Sequence, residues 1–353
     1  MTRCQRTLLT ISVALTLGLL ALAAPAGSGD KSLDIYLIDT EGGAATLIVT
    51  PTGESLLVDS GNAGDRDPAR IIRVAGEVAG LKKIDHHIIT HWHGDHFGGT
   101  EAVAKKIPFG HFYDHGPSVE PGNFDEKFAW YLKLSGGKRT VLKPADEIKL
   151  ASGPGAPPLK LVCVCAAGKV LPNKDGSQPT ADGCDKHPPQ AEDKTDNAAS
   201  LGFKLSFGDF DFLDCGDLTW NIEHRLVCPE NKIGVVDVYQ TNHHGLGNSN
   251  NPALIHTIAP RVAVMNNGPK KGGELPVIEA LRSSPGLESF FQVHRNVRTS
   301  DSDNAPAEFI ANADEQCAGD YVWLKVDPSG KTYTVAAGAK GKSRKFQSKP
   351  QSK

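Results

Sequence analysis

Polar and apolar residues along this chain fall into short segments with two different periods. Residues 33–38 alternate toward a strand, 45–49 give a second, and 55–58 a third that runs into Asp59-Ser60-Gly61, which together predict a β-meander closing in a turn. From 68 to 81 the period lengthens, and Ile71, Ile72, Val74, Ala75, Val78 and Ala79 mark one face of an amphipathic helix. Residues 84–90 then read as a buried strand, 100–107 as a short helix, 109–113 as a strand ending in Asp114-His115-Gly116, and 124–134 as a helix. Further strands are expected at 159–162, 203–207, 210–214, 235–240, 290–293 and in the run that ends at 266, with a helix at 276–281 and a closing hairpin at 321–326 and 332–335.

Three stretches break the pattern. Residues 151–158 are a Gly- and Pro-rich turn. Residues 166–195 are rich in Gly, Pro, Asp and Lys with almost no periodic apolar positions, and predict a long surface insertion tethered through Cys184, in which His187 is exposed rather than ligating. The Lys-, Gly- and Ser-rich end, 338–353, predicts a disordered basic tail. No internal repeat or sustained heptad is visible, and residues 27–337 are expected to form one domain with one large core.

The strand at 84–90 ends in Thr90-His91-Trp92-His93-Gly94-Asp95-His96-Phe97-Gly98-Gly99, which puts three imidazoles and a carboxylate within six residues, where a strand leaves its sheet and a glycine-rich turn opens a helix. His91 and His93 are two apart and, in extended chain, point to the same side, while Asp95 and His96 return from the turn. One strand end thus offers ligands to two metal ions, and neutral imidazole with carboxylate is the donor set of zinc, with manganese or iron as alternatives. A solvated histidine-rich loop is the bland alternative.

Residues 1–26 carry Arg3 and Arg6, an apolar segment from 8 to 24, then small residues and Pro25, the pattern of a cleaved signal peptide and hence of a secreted or periplasmic protein without a membrane anchor after cleavage. Cleavage removes two arginines and no acid, moving the formal charge from −3 to −5 and disfavouring a stable nucleic-acid partner. Six cysteines remain, Cys163, Cys165, Cys184, Cys215, Cys228 and Cys317, an even number compatible with three disulfides whose connectivity the sequence does not give.

The run His91-x-His93-x-Asp95-His96 followed by Gly98-Gly99 resembles the signature of the metallo-β-lactamase-fold hydrolases. The resemblance extends over about residues 33–335 and implies an α/β fold, a four-layer αββα sandwich. It assigns His91, His93, Asp95 and His96 to metal. It further implies that Asp59, in its Val-Asp-x-Gly turn, buttresses the metal loop; metal-bound histidine needs a carboxylate or carbonyl on its other nitrogen, whereas the alternative is a turn-closing carboxylate. By order, Asp217 of Cys215-Gly216-Asp217 is the metal-bridging aspartate. Thr241-Asn242-His243-His244-Gly245 supplies the last ligand. Adjacent side chains leaving a strand point in opposite directions, so His244 is assigned to metal, and the resemblance makes His243 the residue facing the scissile group. A histidine common before the Gly-Asp turn is replaced here by Asp196-Asn197 and Ser200, a departure similar to the hydrolase domain of bacterial DNA-uptake proteins and to phosphocholine esterases, which points to phosphate esters.

Two divalent ions sharing Asp217 imply a hydroxide held between them as the nucleophile. No Gly-x-Ser-x-Gly elbow, P-loop or dinucleotide fingerprint is present, and Gly94 stands where the flavo-diiron pattern has Glu. The reading is a metal-dependent hydrolase of phosphodiesters, with lactones or β-lactams as the other substrate class and a non-catalytic, metal-stabilised binding domain as the other functional class. Asp114, His115, His294 and Arg295, at strand ends, stay open between substrate contact or ligation and ordinary loop roles.

Overall fold

The computed structural model describes residues 31–120, 124–173, 183–339 and 341–349; the leader expected at 1–26 lies outside them. Six strands come first: β1 (Leu33–Leu37), β2 (Thr46–Val49), β3 (Ser55–Val58), β4 (Ile84–Ile88), β5 (Phe109–Asp114) and β6 (Arg139–Val141). The second sheet follows, with β7 (Glu147–Lys149), β8 (Leu159–Ala166), β9 (Lys169–Val170), β10 (Gly202–Phe207), β11 (Phe210–Asp214), β12 (Val238–Gln240), β13 (Val262–Met265), β14 (Ser289–His294) and β15 (Ile310–Asn312). Strands β16 (Val322–Val326), β17 (Thr332–Ala337) and β18 (Ser343–Gln347) return to the first sheet, whose order is β18-β17-β16-β1-β2-β3-β4-β5-β6. The second runs β15-β14-β13-β12-β11-β10-β8-β7, with β9 paired to β8.

Strand β1 shows why both faces of each sheet are covered. Leu33, Ile35 and Leu37 face inward and join Phe203, Leu205 and Phe207 of β10 between the sheets, while Tyr36 faces outward with Ile71 and Val74. The alternation read in the sequence is therefore real, but polar solvent-facing positions are few because helices cover the outside. Helix α1 (Arg66–Arg73), continued by a π-helical turn at Val74–Val78, covers the first sheet; short α2 (Gly94–Phe97), α3 (Thr100–Ala104) and α4 (Phe124–Ser135) follow. Helices α5 (Trp220–Val227), α6 (Pro252–Ile258) and α7 (Leu275–Arg282) cover the second through Leu226, Ile255 and Ile278. The architecture is the expected αββα sandwich.

Strands β3 to β6 run parallel, as do β11 to β15. Loops at the carboxyl ends of parallel strands are the usual ligand positions in such sheets, and here they meet across the sandwich. Leu201 N donates to Thr90 O at 2.8 Å, and Gly216, with φ of +56°, lies so close that a Cβ there would sit 2.8 Å from Thr90 Cβ. Only glycine meets both conditions, so the Gly-Asp turn at the end of β11 seats against the metal loop at the end of β4.

Several expectations are corrected. Among the described residues one disulfide forms, Cys184–Cys228, while Cys163, Cys165, Cys215 and Cys317 are free thiols. The tether expected at Cys184 is thus present, but three bridges are not. The tail expected to be disordered contains β18, whose Phe346 stacks on Tyr333 with ring centroids 5.3 Å apart; its Ser343, Arg344 and Lys345 are exposed, a charged edge strand. The insertion is ordered at its start, where Ala166 ends β8 and β9 pairs back. The strand expected at 235–240 is only three residues long, because Val235 is exposed in the approach loop. No helix among the described residues is long and apolar enough to cross a membrane.

Candidate metal centre

Beyond Ile88 the chain is held by Asp59, which directly follows β3. Asp59 Oδ1 accepts the Thr90 amide at 2.8 Å, and Oδ2 accepts the Thr90 hydroxyl at 2.7 Å and His96 Nδ1 at 2.6 Å. The last bond places the ring proton on Nδ1, so His96 Nε2 presents a lone pair to the cluster.

Ligating atoms of Asp95, His96, Asp217 and His244 all lie within 4.8 Å of one another. His96 Nε2 is 3.1 Å from Asp217 Oδ1 and 3.3 Å from His244 Nε2. His244 Nε2 is 3.3 Å from Asp217 Oδ2 and 3.4 Å from Asp95 Oδ2. Nitrogen and oxygen ligands around one tetrahedral zinc stand about 3.3 Å apart, so these four have the dimensions of a single-ion cage. His91 Nε2 lies 3.9 Å from Asp217 Oδ2, the oxygen that His244 also approaches. Both His91 Nε2 and Asp217 Oδ1 are buried without a hydrogen-bond partner. Orphaned buried polar atoms are costly, and such atoms converging on one point fit a divalent cation.

The charges agree with that fit. Burial pushes the Asp217 and Asp95 carboxyls upward, but the adjacent His96 and His244 outweigh it and hold both well below the usual carboxylate range. Burial would depress His96, yet Asp217, Asp59 and Asp95 raise it well above an ordinary imidazole, so without a cation it holds a proton that a metal would displace. Burial, reinforced by His96, keeps His91 neutral. Ionised carboxylates and a neutral imidazole are the forms a metal takes.

His93 is placed differently. Its Nε2 bonds Glu120 Oε2 at 2.7 Å, leaving Nδ1 as its free nitrogen. The two histidines after β12 also depart from expectation: β12 ends at Gln240, and His243 and His244 both have left-handed backbones, with φ of 49° and 55°. The chain is not extended there, so strand alternation does not apply. Both Nε2 atoms approach Asp217 Oδ2, at 3.5 Å for His243 and 3.3 Å for His244. His243 also lies 3.4 Å from Asn197 Nδ2 and 3.3 Å from Ser249 Oγ.

Of the residues left open, Asp114 is buried on Arg139 and Tyr131, a structural role. His115 bonds Asp196, whose carboxylate also accepts the amides of Trp92 and Val119, so Asp196 ties the metal loop to the exit of β5. Arg295 pairs with Asp301, and buried His294 lies beside Cys317. His187 is in none of the ligand clusters among the described residues.

Sequence reasoning missed two contributors. Glu120 has no local signature. Lys271, whose Nζ pairs with Asp95 Oδ2, lies in Pro269-Lys270-Lys271-Gly272-Gly273; a basic pair between turn residues after β13 is a weak signal. A Cβ on Gly272 would sit 1.9 Å from His244 O, which is how this loop comes to lie over the site.

No curated protein sequence matches the chain. Among solved structures, a candidate metal-dependent hydrolase from Parabacteroides distasonis ATCC 8503 is 18% identical over 77% of this chain and 96% of that one, with a TM-score of 0.40. A metallo-beta-lactamase from Staphylococcus aureus subsp. aureus COL is 20% identical over 74% and 55%, with a TM-score of 0.33. A diphosphatase from the PhnP family is 14% identical over 72% and 93%, with a TM-score of 0.37. The family model described as the metallo-beta-lactamase superfamily matches residues 38–164, the segment that carries Asp59 and the His91–His96 loop.

Proposed function

We propose that this chain is an exported, dinuclear metal-dependent hydrolase acting on phosphodiesters. The observation that carries the reading is the convergence of Asp95, His96, Asp217 and His244 into one cage, with His91 Nε2 outside it 3.9 Å from Asp217 Oδ2. Asp217 is the carboxylate that both His91 and the cage approach, and its two oxygens would let it serve two ions. His91 and His93 would hold one ion and Asp95, His96 and His244 the other, with zinc the ion best suited to the donors and manganese or iron the alternatives. When bound, the ions supply the Lewis acidity that ionises water and neutralises charge developing on the substrate.

The remaining steps belong to side chains. Asp59 holds His96 in one tautomer and orientation. His243, beside Asn197 and open at one edge, donates a proton to the leaving oxygen. Lys271 brings a cation to the rim, which favours an anionic phosphodiester over a neutral lactone. Export is supported by Arg3, Arg6 and the apolar run after them, and by the Cys184–Cys228 disulfide, a bond of oxidising compartments.

The test is metal analysis of purified protein combined with turnover of a phosphodiester, a lactone and a β-lactam. Phosphodiester turnover is expected, with two equivalents of metal that depend on the residues of this centre. Turnover of only the lactone or β-lactam would reassign the substrate, and bound metal with no turnover would make this a binding domain.

A further inference from the structure

We propose a second, separate metal site formed by Asp39, His294 and Cys317, which take no part in the centre above. Asp39 follows β1, His294 ends β14, and Cys317 lies in the loop before β16, so three distant segments deliver a carboxylate, an imidazole and a thiol to one point. Their ligating atoms lie within 4.8 Å of one another. Asp39 and His294 are fully buried and Cys317 is partly so.

The spacing is that of a zinc cage. Cys317 Sγ is 3.3 Å from Asp39 Oδ2 and 3.7 Å from His294 Nε2. A tetrahedral zinc with Zn–S of about 2.3 Å and Zn–N or Zn–O of about 2.1 Å separates sulfur from its neighbours by about 3.6 Å. The supporting contacts aim the donors. His294 Nδ1 donates to the Arg295 carbonyl at 3.1 Å, which leaves the Nε2 lone pair facing Cys317. Asp39 Oδ1 accepts the Glu41 amide at 2.9 Å, leaving Oδ2 toward the thiol.

Arg70 stands beside this site, its Nη1 3.0 Å from Asp39 Oδ2 and its Nη2 3.6 Å from Cys317 Sγ. A carboxylate oxygen has lone pairs for both a guanidinium and a metal. With thiolate and carboxylate both anionic, a divalent ion leaves the three ligands neutral, and Arg70 is then screened by its own pair to Glu41 at 3.0 Å. On binding, the S–H bond breaks, its proton goes to solvent and the sulfur pair forms the bond to the metal. Three protein ligands leave one position for water. The loop that starts at Asp39 continues to Ala44, whose amide donates to Asp95 O at 3.1 Å, so the site braces the segment next to the first centre.

The competing reading is a polar cluster in which the thiol donates to Asp39 and no metal enters. Cobalt(II) loading of the full chain separates the two, because the first centre contains no sulfur. A thiolate-to-cobalt charge-transfer absorption is expected in the wild type and in His244→Ala, and its loss is expected in Cys317→Ser together with one equivalent of metal. No such band in the wild type, or a band that survives Cys317→Ser, overturns the proposal. Should Cys317→Ser fail to fold, alkylation of Cys317 in the wild type, read by mass spectrometry, should slow at least tenfold when zinc is added; equal rates with and without zinc overturn it.

Discussion

Asp59 and His96 are joined by a 2.6 Å hydrogen bond in a fully buried setting, with Thr90 donating to both oxygens of the same carboxylate. Asp59 touches no other group of the cage, so its effect on the metal passes through the orientation of one imidazole. Asp59→Asn should lower metal affinity by about 10- to 100-fold, the usual cost of losing such an outer partner, while leaving saturated activity measurable in excess metal. Titration with a metal buffer checks this; an unchanged dissociation constant would remove Asp59 from the site.

His243 and His244 both approach Asp217 Oδ2, yet only His244 belongs to the four-atom cage. His244→Ala should lose metal and turnover together. His243→Ala should retain metal and lose about 10²- to 10⁴-fold in rate, the scale of general acid catalysis. Metal content measured beside turnover decides, and the reverse pattern would exchange the two roles.

Lys271 is the cation nearest Asp95. Replacing it by Met removes the charge but keeps the stem, and kcat/KM for a phosphodiester should fall by about 10- to 100-fold, the value of a charge-assisted hydrogen bond. Metal content should hold, and inhibition by inorganic phosphate should weaken in parallel. Loss of metal instead would make Lys271 part of the support for Asp95.

His87 is fully buried, and burial lowers its pKa from 6.5 to about 4 despite the Leu57 carbonyl, which favours the charged form. The unfolded chain therefore binds a proton between those values that the folded chain refuses. Stability is fully present above about pH 6.5 and is lost as pH falls toward 4, by about 3 kcal/mol in total. His87→Asn keeps a donor for Leu57 and cannot titrate, so denaturant unfolding of that variant should show a shallower acid slope. Parallel slopes would exclude His87 as the source.

The disulfide closes a sequence separation of 44 residues, for which chain entropy alone gives about 4 kcal/mol. Replacing Cys184 and Cys228 by Ser should lower stability by up to that amount. The bridge also fixes the insertion near Trp220 Nε1, which donates to Pro188 O at 2.9 Å, so proteolysis should shift into 183–195 before the core is cut. Cleavage elsewhere first would mean that the insertion is held by other contacts.

The sequence by itself determined the layers and most residues of the candidate cage. Period-two and period-3.6 patterns depend on neighbours within a few residues, so β1, β4, β10, β11 and α1 were legible. The loop after β4 was legible because His91, His93, Asp95 and His96 fall within six residues at one strand end, and Asp217 because a Gly-Asp pair at a strand end has a fixed place in the order of motifs. Tertiary structure decided what depends on distant partners. The left-handed turn that brings both His243 and His244 to Asp217 is set by packing against Gly216, whose carbonyl accepts the His243 amide, and against the Gly272 loop. Glu120 and Lys271 reach the centre from segments 27 residues and 176 residues away from their partners His93 and Asp95. Strand β18 carries a single apolar side chain, Phe346, and is ordered by Tyr333 and by Asp237, which accepts the Lys349 amide at 2.8 Å. Which cysteines pair is likewise a question of distance in the folded chain, since a disulfide needs Cα atoms within about 7 Å, and spacing along the sequence carries no record of that.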